Sequence, residues 1–181
     1  MRLEPRIETH GLAGVDYIDQ PTFVILPHPI AQDVRIDVDI RSGLRPNAPD
    51  YARGFAGVAF RISPDARRFE AVYLRPLNGT RTGVAEPRRS RGVQYFSYPD
   101  WPFDRLRDER ADEVFEAPAD IAPDDWVSLR VEAHGDRVTA QIGAGPLIEF
   151  SRLDPAPAGR IGLWVDIGTD ALFSDLRITP L

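Results

Sequence analysis

The sequence predicts an all-β protein built as a two-sheet antiparallel sandwich. Three observations carry this. Short runs alternate apolar and polar residues, turn-forming residues separate the runs at close intervals, and no long stretch has helical periodicity. The chain has 181 residues. That length suits a single sandwich domain spanning 1–181, with enough core to need no disulfide.

Residues 33–41 alternate most clearly. Val34, Ile36, Val38 and Ile40 share one face, and Asp33, Arg35, Asp37, Asp39 and Arg41 the other. This is the pattern of a half-buried antiparallel strand. In residues 55–62, Val58, Phe60 and Ile62 oppose Gly57, Ala59 and Arg61. Residues 68–75 point Val72 and Leu74 inward, with Tyr73 and Arg75 outward. Further strands are expected over 92–98, 126–134, 136–142, 146–150, 160–167 and 171–178. Val127, Leu129, Val131 and Ala133 form the core face of the 126–134 run. A strand over 22–26 is expected to end at Pro27 and Pro29. Two long loops interrupt the pattern. Residues 76–91 are rich in Gly, Thr and Arg. Residues 99–123 carry eight acidic side chains between Asp100 and Asp120. Residues 104–111 fit one or two helical turns.

Composition excludes several chemistries. The chain has no cysteine, which removes disulfides, thiolate metal sites and cysteine nucleophiles. Its net charge is −6, and no basic stripe is evident, which argues against nucleic acid as a partner. The opening Met1-Arg2-Leu3-Glu4-Pro5-Arg6 has no apolar core of a secretory signal, and no apolar run approaches a membrane span. A cytoplasmic, soluble protein is the expectation from the sequence as written, with a trimmed exported form as the alternative. All the basic side chains are arginine, the residue better suited to planar, bidentate partners. His10, His28 and His134 lack metal-ligand spacing, so no cofactor is expected. Asp124-Asp125 and the acids of 166–170 could supply oxygens to a structural calcium.

Three stretches together resemble a known family. Trp126-Val127-Ser128-Leu129-Arg130-Val131-Glu132-Ala133, followed by Gly135-Asp136-Arg137-Val138, resembles the tryptophan strand and hairpin of laminin-G-like domains. Gly159-Arg160-Ile161-Gly162-Leu163-Trp164 and Phe173-Ser174-Asp175-Leu176-Arg177-Ile178 resemble their closing strand pair. Gly57-Val58-Ala59-Phe60-Arg61, with Tyr73-Leu74-Arg75-Pro76-Leu77-Asn78, is similar to a bacterial subgroup near the 3-keto-disaccharide hydrolase-like domains. The resemblance spans residues 33–178. It implies a concanavalin A-like jelly roll, convex on one side and concave on the other, of a kind often used for carbohydrate. The glucanases of this superfamily carry Glu-x-Asp-x-x-Glu, and no Glu-x-Asp occurs in this chain.

Alternation places Arg61, Tyr73, Arg75, Trp164 and Asp166 on one polar face, with Asn78 and Gln94 at its rim. Gly57, Ala59 and Gly162 would leave a depression there. Sugar rings stack on Tyr or Trp, and hydroxyls bond to Arg and Asp. The expected ligand is therefore a saccharide: Tyr73 and Trp164 stack, Arg61 and Arg75 donate, Asp166 accepts. The competing interpretation packs Trp164 under a loop and pairs the arginines with acids. Asp37 and Asp39, about 6.6 Å apart on one strand face, fit a carboxylate pair for glycoside hydrolysis. They fit a solvated face beside Arg35 and Arg41 better. Tyr98, Trp101 and Phe103 open the acidic loop and either lid the concave face or anchor the loop. Beside the binding module stand two rivals. One is an enzyme acting on glycosides or a keto-disaccharide, with Glu70 or Asp166 as acid or base. The other is a structural or interaction domain whose Trp164 face meets a partner chain or a second copy in a homo-oligomer. No catalytic residue is assigned.

Overall fold

The computed structural model describes residues 1–3, 19–27, 30–151, 153 and 157–181. His10, His28 and Pro29, and the opening stretch from residue 4, lie outside the described residues. The first of two six-stranded sheets runs, in spatial order, β1 (Arg2–Leu3), β12 (Thr169–Pro180), β3 (Val34–Leu44), β8 (Trp126–His134), β9 (Arg137–Ile142) and β10 (Leu147–Phe150). The second runs β2 (Phe23–Ile25), β11 (Arg160–Val165), β4 (Ala56–Ile62), β5 (Phe69–Leu74), β6 (Val93–Tyr98) and β7 (Glu116–Ala117). Every pairing is antiparallel. This is the two-sheet antiparallel sandwich that the alternation predicts.

The first sheet follows the sequence pattern closely. Val34, Ile36, Val38 and Ile40 are buried while their neighbours are half-buried or exposed. On the other face Asp37 pairs with Arg130 at 2.6 Å, and Asp39 accepts from the Ser128 hydroxyl at 2.6 Å. Arg35 pairs with Glu132 at 2.7 Å. Asp37 and Asp39 thus belong to a solvated strand face, the first ion-paired and the second bonded to a hydroxyl.

The second sheet departs from a simple inside–outside reading, because β4 and β5 are buried at every residue. Val58, Val72 and Tyr95 lie in register across β4, β5 and β6 and so share a face. The Tyr95 ring meets Phe150 of the first sheet at 5.4 Å, which marks that face as the inter-sheet core. The opposite face is covered by Asp19 and Gln20, before β2, and by the loop leading into α1 (Phe103–Glu109). The α1 helix falls where one or two helical turns are expected; Leu106 is its buried contact. The two-residue strands β1 and β7 have no sequence signature.

Candidate functional site

The outer face of the second sheet is an aromatic layer. Gly57, Tyr73 and Gln94 lie opposite one another across β4, β5 and β6, and Gly57 also faces Trp164 on β11. A Cβ on Gly57 would come within 2.7 Å of the Tyr73 Cβ, so glycine is required by the close approach. The room this leaves is filled by rings. Tyr73 and Trp164 are 4.7 Å apart between centroids, and Phe96 meets Tyr73 at 5.6 Å. The small residues expected to form a ligand depression instead accommodate the aromatic layer.

That layer is sealed. Trp164 and Tyr73 are fully buried. The Trp164 indole N–H donates to the Gln20 carbonyl at 2.7 Å. The Tyr73 hydroxyl donates to Asp19 at 2.9 Å, and the Asp19 carboxylate also accepts from the Phe103 backbone N–H at 2.9 Å. Asp19 thereby ties the segment before β2 to the start of α1, over the middle of the sheet. Trp164 packs under covering chain, the alternative weighed for it from sequence, and has no ring face open to a sugar.

Arg61 leaves this face altogether. The β4–β11 register shifts between Arg160 and Gly162, and Arg61 has a left-handed φ of 50°. This bulge turns the side chain toward the inter-sheet core. There its guanidinium pairs with Glu70 at 3.1 Å and donates to the Gly135 carbonyl at 2.5 Å and the Gln32 carbonyl at 3.0 Å. Tyr95 donates to Glu70 at 2.7 Å. Arg61 and Glu70 are 1% and 0% exposed, so neither reaches an external ligand.

Arg75 is the centre of the remaining network. Its guanidinium donates to the Tyr73 hydroxyl at 2.8 Å, to Gln94 Oε1 at 2.7 Å, and to Glu116. It also lies over the Phe55 ring at 5.1 Å and the Phe103 ring at 5.8 Å. Its Nε is buried without a partner among the described residues. Gln94 is fixed by donating to the Tyr95 and Phe115 carbonyls. Asn78 donates to the Arg91 carbonyl at 3.1 Å and pins the 76–91 loop. Asp166 is 1% exposed and feels the charges of both Asp19 and Arg75.

Electrostatics follow from this burial. Burial pushes the Asp19 carboxyl up to about 6, against the lowering influence of Arg75, the Phe103 N–H and Tyr73. Burial, then the charge of Asp19, drives Asp166 well above the usual carboxylate range. Burial opposes ionisation of Glu116, yet the bond from Arg107 and the charges of Arg75 and Arg107 hold its carboxyl below that range.

Two adjoining clefts open over this network. One, of about 230 Å³, has Tyr51, Phe55 and Phe103 as aromatic walls, with Arg75 and Asn78 among its polar groups. The other, of about 220 Å³, includes Gln94, Leu106 and Glu116. Arg91, Phe103 and Arg107 border both. Of the residues singled out from sequence, Arg75 and Asn78 line the first cleft and Gln94 the second. Tyr73, Trp164 and Asp166 form the buried support beneath, and Arg61 lies in the core. Tyr51, Phe55 and Arg107 were missed, because they come from separate loops and from α1.

Among the described residues no group of three His, Cys, Asp or Glu is placed to hold a metal ion. Asp125 pairs with Arg81 at 3.0 Å and Asp170 with Arg2 at 2.8 Å, so arginines engage two of the acids considered for calcium. Among the described residues no helix is long and apolar enough to cross a membrane.

Solved structures with this arrangement include a carbohydrate-binding module from Bacillus subtilis. It is 17% identical over 87% of this chain and 80% of that one, with a TM-score of 0.59. A galectin from Caenorhabditis elegans is 10% identical over 98% and 95%, with a TM-score of 0.51. A putative glycosyl hydrolase from Parabacteroides distasonis is 11% identical over 88% and 76%, also at 0.51. At these identities the likeness is one of fold. No protein-family model matches the sequence, and no curated protein matches it.

Proposed function

We propose that this protein is a saccharide-recognising jelly roll whose site is the paired cleft above Arg75. The observation that carries the reading is the cleft's chemistry: aromatic walls from Tyr51, Phe55 and Phe103 beside donors pre-set by the buried Arg75 network. Sugar sites combine these two features, with apolar ring faces stacked and hydroxyls bonded. Phe103 is held from two sides, by Arg75 at 5.8 Å and Arg107 at 4.7 Å. A platform so held costs little ordering on binding. The carbohydrate-binding names among the fold relatives agree with this reading without carrying it. The hydrolase alternative is weaker. Glu70 is enclosed by Arg61 and Tyr95, and Asp166 is buried in the outer-face support.

A thermal-shift screen with mono-, di- and oligosaccharides tests the proposal, since a ligand that binds only the native state raises the melting temperature. One sugar class is expected to do so, with the shift lost in Phe103→Ala. A flat panel would turn the reading to an interaction domain.

A further inference from the structure

The first cleft is lined by five arginines: Arg53, Arg75, Arg88, Arg91 and Arg107. No carboxylate lines it. Among the described residues the acid that pairs with three of them is Glu116, at the neighbouring cleft. It is shared three ways, reaching Arg107 at 2.5 Å, Arg91 at 3.3 Å, and Arg75. Arg53 donates to the Asp50 and Ala52 backbone carbonyls and has no ion pair among the described residues. The exposed Arg88 side chain likewise has no ion pair among the described residues. Burial, then Arg88, lowers the Arg53 guanidinium below its usual range; burial, then Arg107, does so for Arg91. Asp50 opposes the charge of Arg53, Glu86 that of Arg91 and Asp19 that of Arg75 from outside the lining, so the lining itself is cationic on a chain whose net charge is −6. At its floor the buried Nε of Arg75 has no acceptor among the described residues.

Resting on the saccharide reading above, we propose that this cleft binds the ring-borne oxyanion of an acidic saccharide, a carboxylate or a sulfate, in the fork of Arg53, Arg88 and Arg91 above Arg75. Guanidinium forks match such oxyanions with paired, charge-assisted hydrogen bonds. Tyr51 and Phe103 supply the ring contacts that distinguish a sugar acid from a free ion.

Titration calorimetry on the full chain tests this with trigalacturonate against neutral galactotriose, and 6-sulfated lactose against lactose, with sodium sulfate as the bare ion. At least one acidic sugar is expected to bind about tenfold or more tightly than its neutral parent, the difference one or two charge-assisted bonds make. Its affinity falls on raising NaCl from about 50 to about 300 mM. Arg88→Gln is expected to lose most of that preference, and Arg88→Glu more. Both variants should keep the parent melting temperature, because Arg88 is exposed; Arg53→Gln is the second probe. Equal binding of acidic and neutral sugars would overturn the anion assignment and leave the saccharide reading standing. Sulfate binding as tightly as sulfated lactose would overturn both. Silence of all five probes would overturn this inference, while the wider neutral panel decides the other.

Discussion

The Tyr73 hydroxyl donates to Asp19 at 2.9 Å and accepts from Arg75 at 2.8 Å, so a single phenol joins a buried acid to a buried base. Asp19 carries the pH dependence of this junction. Its folded value, about 6, lies above the ordinary 3.8. A raised acid binds its proton more readily folded than unfolded. Its stabilising contribution is present below the ordinary value and is lost as pH rises through about 6. Denaturation at about pH 5 and pH 7.5 should show a gain from Asp19 at the lower pH of about 1.4 kcal/mol. Asp19→Asn should flatten that slope, though Asp166 keeps part of it, being raised in the same direction.

The Arg61–Glu70 pair should behave as a buried ion pair does. Glu70→Gln leaves the buried guanidinium only the longer ionic contact to Asp33 at 3.9 Å and should cost about 3 kcal/mol. Replacing both, as Arg61→Met with Glu70→Leu, should cost clearly less than either single change. Urea denaturation of the four proteins measures this. A fully additive cycle would refute coupling between the two.

Gly57→Ala should destabilise the aromatic layer. The new methyl would press on the Tyr73 Cβ at 2.7 Å and closer still on the Val72 carbonyl. A loss of about 1–3 kcal/mol is expected. Near-UV circular dichroism should change as Tyr73 and Trp164 shift apart.

Arg75→Lys should lose about 2 kcal/mol, because an ammonium cannot serve Tyr73, Gln94 and Glu116 at once with the geometry of a planar fork. Thermal denaturation reads the loss. A neutral outcome would mean that the fork is not what organises the cleft floor.

How far the sequence carries the reader differs between the sheets. Around β3 and β8 one face meets water, so alternation alone locates the strands and their core residues. Around β4, β5 and β6 both faces are covered. The polarity of Tyr73, Arg75 and Gln94 then points to an outer face without revealing that other chain lies upon it. The bulge that turns Arg61 inward depends on a left-handed φ at a non-glycine residue, which periodicity cannot signal. The cleft is harder still. Arg53, Arg88 and Arg107 stand on three separate stretches of chain, and only topology brings them together. The arginine density of the 76–91 loop was the one visible trace of it.

The sheet margins have a consequence for how the protein behaves among copies of itself. Among the described residues the first sheet ends on β1, of two residues, and β10, of four; the second ends on β2, of three, and β7, of two. Ladders this short give an incoming strand little to template upon, and they blunt the fibril-forming tendency of open β edges. The long, apolar strands are all interior, where their backbone valences are already spent on one another.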